Sequence, residues 1–485
     1  LYDRLYSALR SHAIAKIVTQ AVSWAGTIFV VRLLDTTEFG LYGIASIILS
    51  YASLIYDGSV TEALVQRTPA DLAERRAVFT VLCLVGAAAV LVLAALAVPL
   101  GDLLNEPAVA PIVVVMSLAL LCTSLGAMPQ ARLMREMRFD RLAVISSIQA
   151  VVTTVLTVWL AWRGAGAWSL AVGFVVGTAL RTLMLIRAAP DTMRPTRHLA
   201  PAMGYLRFGG VLFADNLLWR WYTSVDTFFL ARWSGTAAVG YYTLGRELAN
   251  MPVEKVSTVV NDVSLPAFAH IAGDRVAAAR LLNETIRMHA TLGFPLFWGL
   301  AAVAHLAVPV LFGERWQPAV FPLVALCLIA PLRLIGSIET PAITGIGRPW
   351  ILVKTKLVIA PVMTVALAIG AWYGGIDGAA IAWLVAFPLA YAVAFRYILD
   401  AVGLTYAEMC AVMRGPALAA GAMGAAVYGW AYVLGQAGLP RVVNLVSAIA
   451  LGMAVFAVCL RLVDATSFGL AWARFGRVLG VKAAG

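Results

Sequence analysis

Apolar runs of about 20 residues recur along this chain from end to end, separated by short polar or basic connections. At 1.5 Å of rise per residue, a run of about 20 crosses the ~30 Å hydrocarbon core of a bilayer as a helix. The pattern predicts spans at 13–34, 39–58, 77–100, 109–128, 141–162, 166–186, 209–230, 239–264, 287–310, 318–340, 351–371, 376–395, 414–434 and 441–462. The expected fold is an all-α polytopic membrane protein of about fourteen transmembrane helices.

Two of these spans break the pattern. Between Leu206 and Phe268 the chain carries Asp215, Arg220, Asp226, Arg246, Glu247, Glu254, Lys255 and Asp262 among its apolar residues. A charge at the centre of a lone membrane helix costs at least ~2.5 kcal/mol, so such groups usually face a watery interior or one another. On the seventh span Asp215, Asn216, Trp219, Arg220, Tyr222, Thr223, Asp226 and Thr227 fall within an arc of about 160° at ~100° per residue. Leu217, Trp221, Val225 and Phe228 take the other side. On the eighth, Thr243, Glu247, Asn250, Glu254 and Asn261 form one stripe, with Arg246 on its flank. Pro252 predicts a kink there. Either the stripes line a polar cavity, or their charges pair between helices and hold the bundle together. Arg333 and Glu339, six residues apart on one predicted helix, are second-tier candidates, and His289 and His305 read as core histidines.

The chain also repeats itself at an offset of 200 residues: Phe29, Arg32, Thr36, Gly40 and Tyr42 recur as Phe229, Arg232, Thr236, Gly240 and Tyr242. Lys16, Gln20, Ser23 and Thr27 share one helical face, and their counterparts are Asn216, Arg220, Thr223 and Thr227. Two six-helix halves follow, 1–200 and 201–402, with two extra helices and a cytoplasmic amphipathic tail in 403–485. An even helix number per half makes the repeats parallel, an arrangement in which transporters bind substrate between the halves and alternate access by rocking.

Composition sharpens the class. The chain has 485 residues, is 62% hydrophobic and only 13% charged, and its net charge is +11. In a membrane protein that positive balance belongs to cytoplasmic connections rather than to nucleic acid. Arg132, Arg135 and Arg138, Arg187, Arg194 and Arg197, and Lys354 and Lys356 fall in alternate connections, which places both termini in the cytoplasm. The basic segments 187–207 and 265–286 are expected to lie along the anionic leaflet. So is an interfacial helix over 467–479. The first apolar run has no small-residue cleavage site and reads as a retained span. The five cysteines sit inside apolar runs with no CxxC pair, so neither disulfides nor a metal site is expected. There is no GxxxxGK[ST] loop, HExxH or GxSxG. Asp35 and Glu38, on a short outer connection, read as a solvated turn and helix N-cap rather than as catalytic acids.

The segments VRLLDTTEFGLYG (31–43), EALVQR (62–67), RLMREMRF (132–139), LRFGG (206–210), LPAFAHI (265–271), LFGERWQPA (311–319) and GRP (347–349) resemble the recurring motifs of bacterial polysaccharide export flippases. These are the Wzx or O-antigen type within the multidrug/oligosaccharidyl-lipid/polysaccharide (MOP) superfamily. The resemblance runs in register from about residue 10 to 400. It implies a V-shaped pair of six-helix bundles in the bacterial inner membrane. These would move an undecaprenyl-pyrophosphate-linked oligosaccharide from the cytoplasmic to the periplasmic leaflet through a cationic cavity lined by helices 1, 2, 7 and 8. The implied partners are that lipid-linked sugar, membrane lipids, and the polysaccharide polymerase and glycosyltransferases of the route. No cofactor is expected beyond a coupling H+ or Na+.

For such a cargo Arg220 and Arg246 are the first choices to attract pyrophosphate, because guanidinium pairs bidentately with phosphate. Lys16 would assist near the inner entrance, with Asn216, Gln20 and Asn250 on the same polar faces and Trp219 and Tyr222 offering rings to sugars. Asp215, Asp226, Glu247, Glu254 and Asp262 would orient the arginines or carry coupling ions. The runner-up is a cation-coupled small-molecule exporter of the same superfamily, which would want an anionic cavity. An integral-membrane glycosyltransferase or polymerase is disfavoured by the short outer connections.

Overall fold

A computed structural model describes residues 19–54, 72–190, 195–202, 210–271 and 273–469, and among these every regular element is helical. Helix α1 covers residues 19–33, followed by α2 (Thr36–Ser53), α3 (Leu72–Leu103), α4 (Val109–Arg135), α5 (Phe139–Trp162), α6 (Ala167–Ala188), α7 (Gly210–Ser234) and α8 (Thr236–His270). Then come α9 (Arg275–Phe312), a 3-10 turn at Glu314–Ala319, α10 (Val320–Gly336), α11 (Glu339–Gly345), α12 (Trp350–Val402), α13 (Tyr406–Gln436) and α14 (Arg441–Val463). Nine of the described stretches are long and apolar enough to cross a membrane. Helices α2, α7 and α8 are not among them, and α7 and α8 are the least apolar of the long helices, as their acids, amides and arginines dictate.

Local chemistry sets the helix ends. Asp35 caps α2 in a capping box, with the Asp35 N–H donating to Glu38 Oε2 at 2.8 Å, so these two acids close a helix N-terminus. Thr405 and Glu408 repeat the device at α13. A straight helix of the length of α12, 53 residues, would reach about 80 Å. Gly375 breaks it (φ 54°, ψ −132°), and the two arms fold back so closely that a Cβ on Gly370 would sit 2.3 Å from the Gly378 carbonyl oxygen. Only glycine allows that approach.

The segment 265–286, expected as a surface-lying connection, is mostly helix. Helix α8 runs through Pro252 to His270, and α9 begins at Arg275 behind an Asp274 N-cap that accepts from Val276 and Ala277 N–H at 3.0 Å. The good helix formers of 276–284 carry α9 to 38 residues, about 57 Å, well beyond the hydrocarbon thickness. The interfacial helix expected at 467–479 falls almost wholly outside the described residues, as do Lys16 and Glu62.

The chain divides into two compact units, Leu1–Gly240 and Tyr241–Gly485. In the first, α4 is the hub on which α2, α3 and α6 pack, through Val109, Ile112, Val113, Met116 and Leu120. Gly173 and Gly177 of α6 lie against Thr157 and Thr153 of α5, where a Cβ would come within 2.1 and 1.9 Å of the hydroxyl oxygens. The same unit contains the contact that makes the internal repeat physical. A Cβ on Gly40 would meet the Thr236 carbonyl oxygen at 1.9 Å, and one on Gly240 would meet the Thr36 carbonyl oxygen at 2.0 Å. Residues related by the 200-residue offset thus touch reciprocally, as across a local twofold axis. In the second unit α9 is the hub. Ala290, Phe294, Val303 and Leu306 pack with Ala420, Met423 and Val427 of α13 and with Leu445 and Ala448 of α14. The last two helices are therefore built into this core.

Candidate functional site

The predicted polar residues fall in both units, and each set is built differently. On α7, Asp215 and Asp226 are buried, Tyr222 is buried, Asn216 and Arg220 are partly exposed, and Trp219 is 39% exposed. Asp226 turns onto its own helix: Oδ1 accepts from the Thr227 N–H at 2.6 Å and from the Thr227 hydroxyl at 3.3 Å. The Arg220 guanidinium lies over the Trp219 ring, 5.3 Å from its centroid. Tyr51 of α2 reaches across, its hydroxyl donating to the Arg220 carbonyl at 3.4 Å and its ring meeting Trp221 edge-on at 6.5 Å. A planar cation beside an aromatic face can bind a phosphate edge and a sugar face together. Gln20 is partly exposed on α1, and Lys16 lies outside the described residues.

On α8, Arg246 is 8% exposed, Glu247 is exposed and Asn250 is partly exposed. Of Glu254 and Asp262 only the helical backbone is described. The α8 amide is held from outside its helix: Arg333 Nη1 of α10 donates to Asn250 Oδ1 at 2.9 Å, and the same guanidinium stacks over Trp383 of α12 at 5.4 Å. One turn on, Lys356 Nζ pairs with Glu339 Oε2 at 2.8 Å, with side-chain exposures of 7% and 3%. Gly336 leaves room for Tyr391, whose ring would be 3.3 Å from a Cβ there. Trp383, Phe387, Tyr391 and Phe395 form a ladder beneath, with ring centroids 5.5, 5.5 and 4.9 Å apart.

Two expectations change here. Arg333 and Glu339 are not on one helix, because the chain turns at 337–338 between α10 and α11. Each therefore finds a partner on another element. Lys356, counted among the basic connections, is buried in α12, while Lys354 is exposed. The signal was present: Leu352, Ile359, Ala360 and Met363, at i−4, i+3, i+4 and i+7 from Lys356, are all buried. Among the described residues no group of three or more His, Cys, Asp or Glu is placed to hold a metal ion.

Known proteins match this chain along most of its length. Residues 29–321 match the family described as polysaccharide biosynthesis protein. The lipopolysaccharide biosynthesis protein WzxC of Escherichia coli (strain K12) is 26% identical over 386 residues, 79% of this chain and 78% of that protein. The succinoglycan biosynthesis transport protein ExoT of Rhizobium meliloti (strain 1021) is 28% identical over 76% of this chain and 77% of its own. Among solved structures, the lipid II flippase MurJ superposes with a TM-score of 0.76 at 15% identity, over 96% of this chain and 99% of that one. An inward-facing MATE multidrug resistance transporter of the MOP superfamily gives 0.57 at 16% identity, over 79% and 95%. At such identities the structural likeness is one of fold: a multi-pass, MOP-like helical membrane protein. With three-fifths of its length inside the matched region, the chain belongs to the polysaccharide biosynthesis protein family.

Proposed function

We propose that this protein is a transporter, not an enzyme: a flippase that carries a prenyl-diphosphate-linked oligosaccharide from the cytoplasmic to the periplasmic leaflet of a bacterial inner membrane for surface polysaccharide synthesis. The observation that carries the reading is the family match over residues 29–321. It is joined by similarity over three-quarters of the chain to proteins named for lipopolysaccharide biosynthesis and succinoglycan transport. The chemistry agrees. A lipid-linked oligosaccharide has an anionic, hydrated head that hydrocarbon excludes and a tail that hydrocarbon accepts, so the protein need only shelter the head. Arg220 and Arg246 serve the diphosphate, and Trp219, Asn216, Gln20 and Asn250 the sugars. The two six-helix repeats, 1–200 and 201–402, provide alternating access.

The alternating arginine distribution supports cytoplasmic termini. An inside-negative potential favours outward movement of an anion by ~2.3 kcal/mol per charge per 100 mV. Asp215, Asp226, Glu247, Glu254 and Asp262 are the groups through which H+ or Na+ would couple. The MATE likeness raises a cation-exporter reading, but Arg220 on α7 and Arg246 on α8 suit an anionic cargo better. The test is flipping of a defined prenyl-diphosphate oligosaccharide in proteoliposomes, with and without an ion gradient. Arg220→Ala should lower the rate at least ~tenfold, the weight of one charge-assisted phosphate contact, with membrane insertion unchanged. Wild-type protein that moves no lipid-linked sugar would overturn the function, and an unchanged Arg220→Ala rate would overturn the role of Arg220.

A further inference from the structure

Helices α5 and α6 pack antiparallel, and at one end of the pair they frame a pocket of about 550 Å³. At 24 and 22 residues the helices are about 36 and 33 Å long, enough to cross the ~30 Å hydrocarbon core with little to spare. Their closest approach lies away from the pocket, where Gly173 and Gly177 meet Thr157 and Thr153. At the pocket end these glycines give way to Ile145 and Leu185, buried with Leu133 and Ala189. The pocket floor is apolar, formed by Val144 and Ile145 of α5 and Met184 of α6, whereas its rim carries Asp140, Arg141 and Arg187. Arg141 is the third residue of α5 and Arg187 the last but one of α6, so both stand at headgroup level. Neighbouring arginines are engaged with protein partners: Arg132 and Arg138 with Glu136, at 2.7 and 3.7 Å, and Arg181 with Gln130 at 3.0 Å. Among the described residues Arg141 and Arg187 have no such partner, and both are exposed. Two arginines against Asp140 leave the rim one net positive charge. The α5 N-terminus has no side-chain cap, so its first-turn N–H groups add partial positive charge to the same rim.

We propose that this pocket holds an anionic phospholipid of the cytoplasmic leaflet, with its phosphate between Arg141 and Arg187 and an acyl chain over Val144, Ile145 and Met184. The leaflet rests on the cytoplasmic placement of the arginine-rich connections proposed above; the site does not depend on the flippase reading. Guanidinium groups bind phosphate bidentately, and basic pockets between membrane helices on that side recognise anionic headgroups. The floor alone selects nothing, because bilayer lipid is as apolar as the protein surface. Selection comes from the rim. Its single net charge is neutralised by a phosphodiester carrying one negative charge, as in phosphatidylglycerol. Phosphatidylethanolamine brings its own ammonium and leaves the rim uncompensated. Neither α5 nor α6 carries a residue assigned to the cargo, so this is a resident lipid rather than a transported one.

The experiment is native mass spectrometry of the full chain released from detergent micelles, titrated with phosphatidylglycerol or phosphatidylethanolamine of matched acyl chains. Phosphatidylglycerol should be retained at least ~tenfold better, and Arg141→Gln/Arg187→Gln should abolish that preference by removing the charge-assisted phosphate contacts. Arg348→Gln/Arg414→Gln removes two exposed arginines elsewhere and should leave the preference intact. Val144→Trp, at a position 52% exposed, fills the floor while keeping both charges. It should lower retention at least ~fivefold by steric block, and it stands as an independent test should the double variant insert poorly. Equal retention of phosphatidylethanolamine, or an equal loss in the charge-matched control, would overturn the inference. So would unchanged retention in both pocket variants. Displacement of phosphatidylglycerol by an equal concentration of undecaprenyl diphosphate would give the pocket to the lipid-linked cargo and overturn it too. A wild-type protein that moves no lipid-linked sugar overturns the flippase reading and leaves this site standing.

Discussion

Within the first compact unit, the polar side chains of α7 make their described contacts close to home. Asp226 bonds the next residue, Arg220 stacks on its neighbour Trp219, and Tyr51 comes in to a backbone carbonyl rather than to a side chain. Within the second unit the polar contacts tie different elements together: Arg333 of α10 to Asn250 of α8 and Trp383 of α12, and Lys356 of α12 to Glu339 of α11. The two patterns do different work. Side chain to side chain bonds between helices fix where those helices sit, and rearranging them requires exchanging buried partners. Local contacts orient a side chain on its own helix. Charge content alone does not tell these regions apart, whereas the partners mark the second as a framework between helices.

The sharpest test of that division is Lys356. Lys356→Met leaves the Glu339 carboxylate buried without its ammonium, and breaking such a pair from one side costs about 3–5 kcal/mol. The expected result is a large loss of thermal stability in detergent. The double variant Lys356→Met/Glu339→Leu removes both charges and should recover most of it, because a buried pair replaced by apolar groups is often near neutral. If the single variant is as stable as wild type but flips no substrate, the pair belongs to the transport chemistry and the framework reading of the second unit fails.

Much of the architecture was readable from hydrophobic pattern. Run length identified an all-helical chain with nine described stretches able to cross a membrane, and Asp35 caps a helix as its position before an apolar run suggested. Periodicity reports which face of a helix is polar but not what stands opposite. The Arg333–Asn250 and Lys356–Glu339 partnerships, and the break at 337–338 that allows them, were therefore not legible. Three of the segments that carry the family resemblance are joints between helices. RLMREMRF (132–139) is the α4–α5 turn, held by Arg132 to Glu136 at 2.7 Å with Met137 at φ 55°. LFGERWQPA (311–319) holds the Gly313 turn and the fully buried Trp316, with Glu314 bonded to Arg441. GRP (347–349) leads into α12 through Gly347 at φ 76°. These three motifs report how the helices are joined, whereas the polar stripes of α7 and α8 have no fixed spelling.

A middle-sized effect is expected at Arg333. Arg333→Met loses a charge-assisted bond to Asn250 and the stacking on Trp383, together about 2 kcal/mol. Arg333→Lys keeps the charge but not the planar face, and should lose roughly half as much. The measurement is again the unfolding midpoint, compared with Asn250→Ala. The two single losses should fail to add in the double variant. Full additivity would mean that the bond between them contributes nothing to holding α8.

The smallest effect is expected where the framework reaches the end of α14. Asp464 follows α14, with Oδ1 accepting from the Ser467 N–H at 3.0 Å and Oδ2 from the Ser467 hydroxyl at 2.6 Å, and Arg287 of α9 lies 3.8 Å away. Partial burial pushes the carboxyl upward, but the Ser467 bonds and the Arg287 charge outweigh it and hold Asp464 below the usual aspartate value. A depressed folded-state value means stabilisation that is fully present above the unfolded pKa of ~3.9. It is lost as pH falls through the folded value. Because the pair is partly solvated, Asp464→Asn should cost less than about 1 kcal/mol at pH 7. The gap between wild type and variant should stay constant from pH 7 to 5 and shrink as pH falls below ~4 toward the depressed folded value. Gly415 supplies the competing account, since a Cβ there would lie 2.7 Å from Asp464 Cβ and the contact is tight. A gap that persists unchanged to pH 3 would mean that Asp464 acts through packing against Gly415, and that at this edge helix position is set by shape rather than by charge.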